Sequence, residues 1–152
     1  EIGSGLVGSE MCIRDRFEAA VKAYPTDLTH YKELNGYLRD RLSKMEDVYI
    51  NSPDNSVYNI LSFSVLGVRS EIMLHSLEEK EIYVSSGSAC SKGKISSVPD
   101  AFGMNSERAD STIRVSFSME TTKEDIDALC DEIENGISRF RRTKKSRRKG
   151  NI

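Results

Sequence analysis

The chain has 152 residues, of which 38% are hydrophobic and 30% are charged. This length suits one domain with a core of its own. No apolar run approaches the roughly 20 residues that a membrane-spanning helix requires, and the first residues lack the basic start and apolar block of a signal peptide. We therefore expect a cytoplasmic protein that contacts no membrane.

Charge is distributed unevenly along the chain. Eight of the 22 basic residues lie between Arg139 and Lys149, whereas the rest carries 14 basic and 24 acidic residues, a net charge of −10. We interpret the basic stretch as a solvated helix end that continues into a disordered tail over residues 143–152. Contact of this tail with an acidic partner or tRNA is the less favoured alternative.

The three cysteines, Cys12, Cys90 and Cys130, are far apart and odd in number. This pattern argues against a disulfide framework and for a reducing compartment. The sequence has no C-x-x-C, and its only histidines are His30 and His75, so we expect no metal site. Both histidines are predicted to be structural or surface residues.

Residues 1–16 are predicted to lie outside the domain. Gly3, Gly5 and Gly8 should break any helix, and no apolar period is present. The stretch from Gly5 to Arg16 resembles translated sequencing-adapter read-through, which would make it a non-native leader. A natural flexible leader is the alternative, and Cys12 receives no role in either case.

The domain itself is predicted to span residues 17–142 and to begin with two helices. Apolar residues at helical spacing form one face of the first helix, which Pro25 ends. A longer amphipathic helix follows. The face of the first helix is Phe17, Ala20, Val21 and Tyr24, and that of the second is Leu28, Tyr31, Leu34, Leu38, Leu42 and Met45.

Strands and shorter helices follow. Val48–Ile50 and Tyr58–Val65 are predicted strands, separated by a turn over 51–55, and Gly67 ends the second. A helix opens at Ser70 with Ile72, Met73, Leu74 and Leu77 as its inner face, and Ile82–Val84 is a third strand.

The last third of the chain contains two helices and one strand. A short helix over Val98–Gly103 precedes a strand over Ser111–Phe117. Thr122 and Asp125 form a capping box for the final helix. Its apolar stripe comprises Ile126, Leu129, Cys130, Ile133, Ile137 and Phe140, which makes Cys130 an inert core residue. The resulting class is α+β, a small and mostly antiparallel sheet with helices packed on one face.

Two features indicate chemistry. Cys90 follows the small residues Ser86, Gly87, Ser88 and Ala89 and precedes Ser91, so its thiol is expected to be accessible on a mobile loop. Arg114 lies in mid-strand, opposite in direction to Ile113 and Val115, and its planar fork suits a carboxylate or a phosphate. A surface salt bridge is the alternative role for this arginine.

The run Ser85-Ser86-Gly87-Ser88-Ala89-Cys90, followed about twenty residues later by Ser111-Thr112-Ile113-Arg114-Val115-Ser116, resembles the C-terminal part of cysteine desulfurases. These are pyridoxal-phosphate enzymes of the class V aminotransferase family, with fold type I. The resemblance runs from Phe17 to Phe140. It implies the small C-terminal domain of such an enzyme, of the housekeeping and nitrogen-fixation type.

The resemblance also implies a mechanism. L-Cysteine forms an aldimine with pyridoxal phosphate, the thiolate of Cys90 attacks the substrate sulfur, and L-alanine leaves a persulfide on Cys90. By the same resemblance Arg114 holds the substrate carboxylate. The serines and glycines let the loop carry sulfur to an acceptor, which would be an iron–sulfur scaffold protein or a tRNA-thiolation enzyme, and the parent enzyme would be a homodimer.

The cofactor lysine of the family belongs to a large domain that would precede Phe17. Lys22 and Lys32 lie on a helix face, and Lys92 and Lys94 lie in the loop, so no cofactor-binding residue is assigned here. We expect this chain to be an inactive fragment that does not bind pyridoxal phosphate alone. Two alternatives remain open: a non-catalytic sulfur carrier or interaction fragment, and another class V aminotransferase-type lyase.

Overall fold

A computed structural model describes residues 5–24, 27–86 and 104–149 of the chain, with side chains described for 12–24, 27–86 and 104–140. The elements follow the chain in this order: α1 (Gly5–Ala23), α2 (Thr29–Ser43), β1 (Val48–Ile50), β2 (Ile60–Val65), α3 (Ser70–Glu78), β3 (Ser85–Ser86), α4 (Ser106–Asp110), β4 (Thr112–Ser116) and α5 (Lys123–Lys149).

The four strands form one sheet in the order β1-β2-β4-β3, and all three pairings are antiparallel. Phe63 lies opposite both Ile50 and Ile113, and Ser62 lies opposite Arg114. Because side chains alternate across a strand, the apolar residues of β2 and β4 other than Ile60 share one face. Serines and Arg114 share the other.

Helices α2, α3 and α5 pack on the apolar face, as expected for an α+β layer. The core residues they share with the sheet are Leu34, Leu38, Leu42, Leu61, Phe63, Val65, Met73, Leu77, Ile113, Val115, Ile126, Leu129, Cys130 and Ile133. This agrees with the predicted fold class. In the described part of the chain, no helix combines the length and the apolarity that a membrane crossing needs.

Helix α5 begins at the predicted capping box. The Asp125 backbone N–H donates to Thr122 Oγ1 at 3.2 Å, and the Thr122 N–H donates to Asp125 Oδ2 at 2.9 Å. Gly67 ends the turn after β2 with φ of 84°. A side chain there would meet open space, so the positive φ is the reason for glycine at this position.

The prediction that residues 5–16 lack a helix is wrong, because α1 runs without a break from Gly5 to Ala23. Glycine lowers helix stability by only about 1 kcal/mol relative to alanine, and the glutamate, methionine and arginines that follow Gly8 are good helix formers. Phe17, Val21 and Tyr24 share a face as predicted, but their side chains are exposed.

Two further details, the third strand and one side chain of α3, also differ from the prediction. The third strand is Ser85–Ser86 and not Ile82–Val84, because the chain first completes the turn out of α3, where Ile82 N donates to Leu77 O at 3.0 Å. Ile72, predicted to face inward, is exposed.

The basic segment was predicted as a disordered tail from residue 143, whereas α5 continues to Lys149. Lysine and arginine are good helix formers, and neither glycine nor proline occurs between Ile137 and Lys149. The helix predicted over Val98–Gly103 lies outside the described residues.

Candidate substrate site on the polar face of the sheet

The face of the sheet that points away from α2, α3 and α5 is polar, and we call it the polar face. Its polar residues are Ser62, Ser64, Ser85, Thr112, Arg114 and Ser116, and the register places Tyr49 beside Ser64 and Ile60 beside Ser116 on the same face. The two ends of this face differ. Ser64 and Thr112 are buried beneath α4, whereas Arg114 and Ser116 are exposed at the other end. The open end is the candidate substrate site.

Arg114 lies at the centre of the open end. Its position in β4 places Ser62 of β2 on one side and Ser85 of β3 on the other. The Arg114 Nε donates to Ser85 Oγ at 3.2 Å, and the Ser85 hydroxyl donates to the Arg114 carbonyl at 3.4 Å. None of the acidic residues in the described part of the chain forms an ion pair with Arg114. The alternative role as a surface salt-bridge partner therefore has no counterpart among these residues.

A guanidinium in this arrangement can accept an anionic ligand. One edge is oriented by a neutral hydroxyl, and the side chain is exposed without an acidic partner among the described residues. Arginine binds a planar carboxylate through two parallel hydrogen bonds.

The segment that contains the predicted nucleophile begins at the same place. Ser86, the last residue of β3, is buried on the core face opposite Ile113. Gly87, Ser88, Ala89, Cys90 and Ser91 lie outside the described residues. The position of the thiol therefore stays a prediction, and the structure describes only the strand from which its segment starts.

Helix α4, which the sequence interpretation missed, covers the other end of the polar face. Its carbonyl group at Arg108 accepts hydrogen bonds from the hydroxyls of Ser64, Ser111 and Thr112 at 2.8–3.1 Å. The Arg108 guanidinium donates to Asn51 Oδ1 at 2.9 Å and to Ile50 O at 3.1 Å. These bonds connect the start of β4 to the end of β1 and so position the strand that carries Arg114.

A local signal for α4 was present in the sequence. Asn105 caps the helix, and its Oδ1 accepts from Arg108 N at 2.8 Å. Asparagine is among the best N-cap residues, but a helix of five residues has no apolar period to reveal it.

The remaining candidate residues lie elsewhere. Cys130 is buried on the inner face of α5, so its predicted place in the core is confirmed, and burial raises the pKa of its thiol to about 11. Cys12 and His75 are exposed on α1 and α3. His30 is half-buried beside the ring of Tyr31. No group of metal-ligating side chains occurs within the ranges that the structure describes.

The described lysines do not fit the requirements of a cofactor-binding lysine. A Schiff-base lysine is desolvated in a pocket so that its amine is neutral and reactive. Here every lysine with a described side chain is exposed. Lys22 pairs with Glu18 at 2.6 Å, Lys44 pairs with Asp40 at 2.6 Å, and Lys32 lies over the ring of Tyr58. These residues therefore do not form a pyridoxal-phosphate site.

Comparison with known families agrees with this fold. Residues 21–129 match the family described as aminotransferase class-V. The chain belongs to this family. Family membership implies pyridoxal phosphate as the cofactor of the parent enzyme.

Relatives within the class-V family share a name. The chain is 39% identical over 129 residues to cysteine desulfurase IscS of Pseudoalteromonas translucida and 35% identical over 130 residues to that of an Enterobacter species. These matches cover 82% and 84% of this chain but only 31% and 32% of the relatives. The chain thus spans about a third of the length of the curated relatives it matches.

A solved structure shares the fold. The NifS-like protein of Rickettsia africae superimposes with a TM-score of 0.62 at 28% identity, over 71% of this chain and 28% of that protein. The expected resemblance to the class V family is therefore confirmed.

Proposed function

We propose that the whole protein is a cysteine desulfurase, to which this chain contributes the sulfur-accepting thiol of Cys90 and the carboxylate clamp Arg114. The names of the relatives support this activity. The second alternative, another class V aminotransferase-type lyase, does not explain a cysteine at the centre of a run of small residues.

One observation supports the two roles together. Arg114 is exposed, forms no ion pair with the described acidic residues, and bonds to Ser85 at the start of β3. Cys90 follows Ser86 by four residues, which a chain can stretch over about 14 Å at most. A small amino acid whose carboxylate is held by Arg114 would therefore lie within reach of the thiol.

The net reaction moves one sulfur atom. L-Cysteine loses sulfur and becomes L-alanine, while the thiol of Cys90 becomes a persulfide. Cys90 reacts as the thiolate, which is the nucleophilic form of the side chain. An acceptor protein for iron–sulfur cluster assembly or tRNA thiolation then takes the sulfur, and we place the homodimeric enzyme in the cytoplasm, where thiols stay reduced.

The role of Cys90 is tested by Cys90→Ser in the whole protein. We expect sulfide release from L-cysteine to be abolished, because an alcohol cannot store the transferred sulfur as a persulfide. The control is Cys130→Ala, which removes the buried thiol of α5 and should leave sulfide release intact. Full activity of Cys90→Ser would show that another group accepts the sulfur.

The role of Arg114 is tested by Arg114→Gln in the whole protein. Loss of a charge-assisted pair costs about 1.5–3 kcal/mol, so KM for L-cysteine should rise about 10- to 100-fold. Arg69→Gln is the matched control, because Arg69 is exposed and pairs with Asp110 instead of a ligand. An unchanged KM in Arg114→Gln would show that Arg114 does not hold the substrate carboxylate.

The chain by itself is the subject of a second proposal, because its described lysines are exposed and do not suit a cofactor-binding role. We propose that the 152-residue chain carries sulfur on Cys90 without loading itself. It should release no sulfide from L-cysteine, and added pyridoxal phosphate should give no internal-aldimine absorbance. After incubation with a persulfide donor, mass spectrometry should show the mass of one added sulfur at Cys90, and its absence would exclude the carrier role.

A further inference from the structure

The end of α5 is a strongly basic helix that does not belong to the substrate site. Helix α5 runs from Lys123 to Lys149, and Ile137 is the last buried residue among those of its side chains that are described. Seven of the nine residues from 141 to 149 are lysine or arginine, and no acidic residue follows Glu134. We call residues 141–149 the basic helix end.

We propose that the basic helix end binds nucleic acid through its phosphate backbone, without reading the base sequence. This proposal is independent of the desulfurase activity. It requires only the helical backbone and the charges of this segment.

The helix concentrates the positive charge. A rise of about 1.5 Å per residue places the seven cations along about 12 Å of helix axis, or one charge per roughly 2 Å. This density is close to that of a nucleic-acid duplex, which carries one negative charge per about 1.7 Å. Cations also recur three and four residues apart, for example Arg141 with Lys144 and Lys145, and like charges at these spacings repel and destabilise a helix. A polyanion relieves this repulsion and releases its own counterions.

Other anionic partners fit less well. A helix that lies on a membrane needs an apolar face as well as charge, and the segment from 139 to 149 contains only one apolar residue, Phe140. An acidic protein partner would compete with the acidic residues of the chain itself, since Arg139 at the start of the segment already lies 3.8 Å from Glu79. The proposal therefore rests on the seven cations beyond Phe140. Four of them are arginines, whose planar fork matches a phosphate group.

The experiment measures binding of the full chain to fluorescein-labelled 20-base-pair RNA and DNA duplexes by anisotropy, in a series of salt concentrations. With four to seven phosphate contacts, the affinity should fall about 100-fold to 5,000-fold between about 50 and 200 mM salt. Changing the duplex sequence should leave the affinity unchanged. Absence of binding at low salt would overturn the proposal, as would a strong preference for one sequence.

Two variants locate the site. Arg147→Gln, Arg148→Gln and Lys149→Gln together keep good helix formers and should make the salt slope shallower by about 2.7. The matched control changes three body lysines, Lys22→Gln, Lys32→Gln and Lys80→Gln, which lie on the surface outside the basic helix end. It should keep the slope of the unmodified chain. If the salt slope of the control became as shallow as that of the triple variant, binding would involve the whole surface, and the proposal would be overturned.

Competing partners serve as further arms of the same experiment. Vesicles of phosphatidylcholine and phosphatidylserine represent a membrane, and polyglutamate represents an acidic protein. The duplexes should bind more tightly than either. Tighter binding of vesicles or polyglutamate would assign the basic helix end to that class of partner instead.

Discussion

Cys130 lies in the middle of the core, on the face of α5 that packs against the other helices. Burial is the main reason that its pKa is raised to about 11; Asp127, Asp131 and Glu134 add to the effect, whereas the positive charge of Arg41 opposes it. The same side chain on a surface loop would form a thiolate far more readily. This contrast separates Cys130 from the role proposed for Cys90.

The raised pKa predicts a pH dependence of stability. Between pH 9 and about 11 the unfolded chain loses a proton that the folded chain keeps on Cys130, so the free energy of unfolding falls as the pH rises. The slope from this group is at most about 1.4 kcal/mol per pH unit, and it vanishes well below pH 9, where both states are protonated. Urea unfolding at several pH values would measure it.

Other groups also titrate in this interval, including Tyr37, whose pKa is raised because its hydroxyl donates a hydrogen bond to Asp127. The comparison of the unmodified chain with Cys130→Ala isolates the thiol. We expect the variant to lose stability less steeply above pH 9. Equal slopes in the two proteins would show that Cys130 does not contribute.

Single residues differ in how far the sequence reveals them. Arg114 is recognisable in the sequence because it alternates with the apolar Ile113 and Val115, which places its side chain on the opposite face of the strand. Arg108 was not found, because its hydrogen bonds join α4 to residues more than forty positions away, such as Ser64. Such contacts depend on how the strands are ordered in the sheet, which local patterns do not encode.

At the scale of elements, the start of α5 was predictable in atomic detail. Thr122 and Asp125 satisfy each other's backbone N–H groups. Thr122→Ala should therefore lower the free energy of unfolding by about 0.5–2 kcal/mol. Ser138→Ala is the control, since it removes an exposed hydroxyl from the interior of the same helix. A thermal or urea unfolding curve for Thr122→Ala that matches that of the control would contradict the capping role.

Element boundaries were less predictable where backbone geometry opposed composition. The apolar run Ile82–Val84 has strand composition, but Glu81 adopts φ of 60° and pairing begins only at Ser85. In α1 the error went the other way. The glycines at positions 5 and 8 predicted an irregular leader, but the segment is helical. Propensities of about 1 kcal/mol per residue are too small to decide such segments.

At the scale of the whole molecule, α1 stands apart from the core. Every side chain from residue 12 to residue 24 is exposed. Ile13, Phe17, Val21 and Tyr24 recur at helical spacing and are 58–70% exposed, so they form one apolar stripe along the helix. A contiguous exposed stripe of this kind favours association with another apolar surface.

We therefore expect the 152-residue chain to self-associate through α1. In sedimentation experiments its average mass should rise with concentration, because pairing two stripes removes apolar surface from water. Phe17→Glu combined with Val21→Lys places charges on the stripe and should keep the chain monomeric. Val57→Lys, at a residue 62% exposed outside α1, is the matched control and should associate like the unmodified chain. A chain that stays monomeric at every concentration would show that the stripe does not pair with itself.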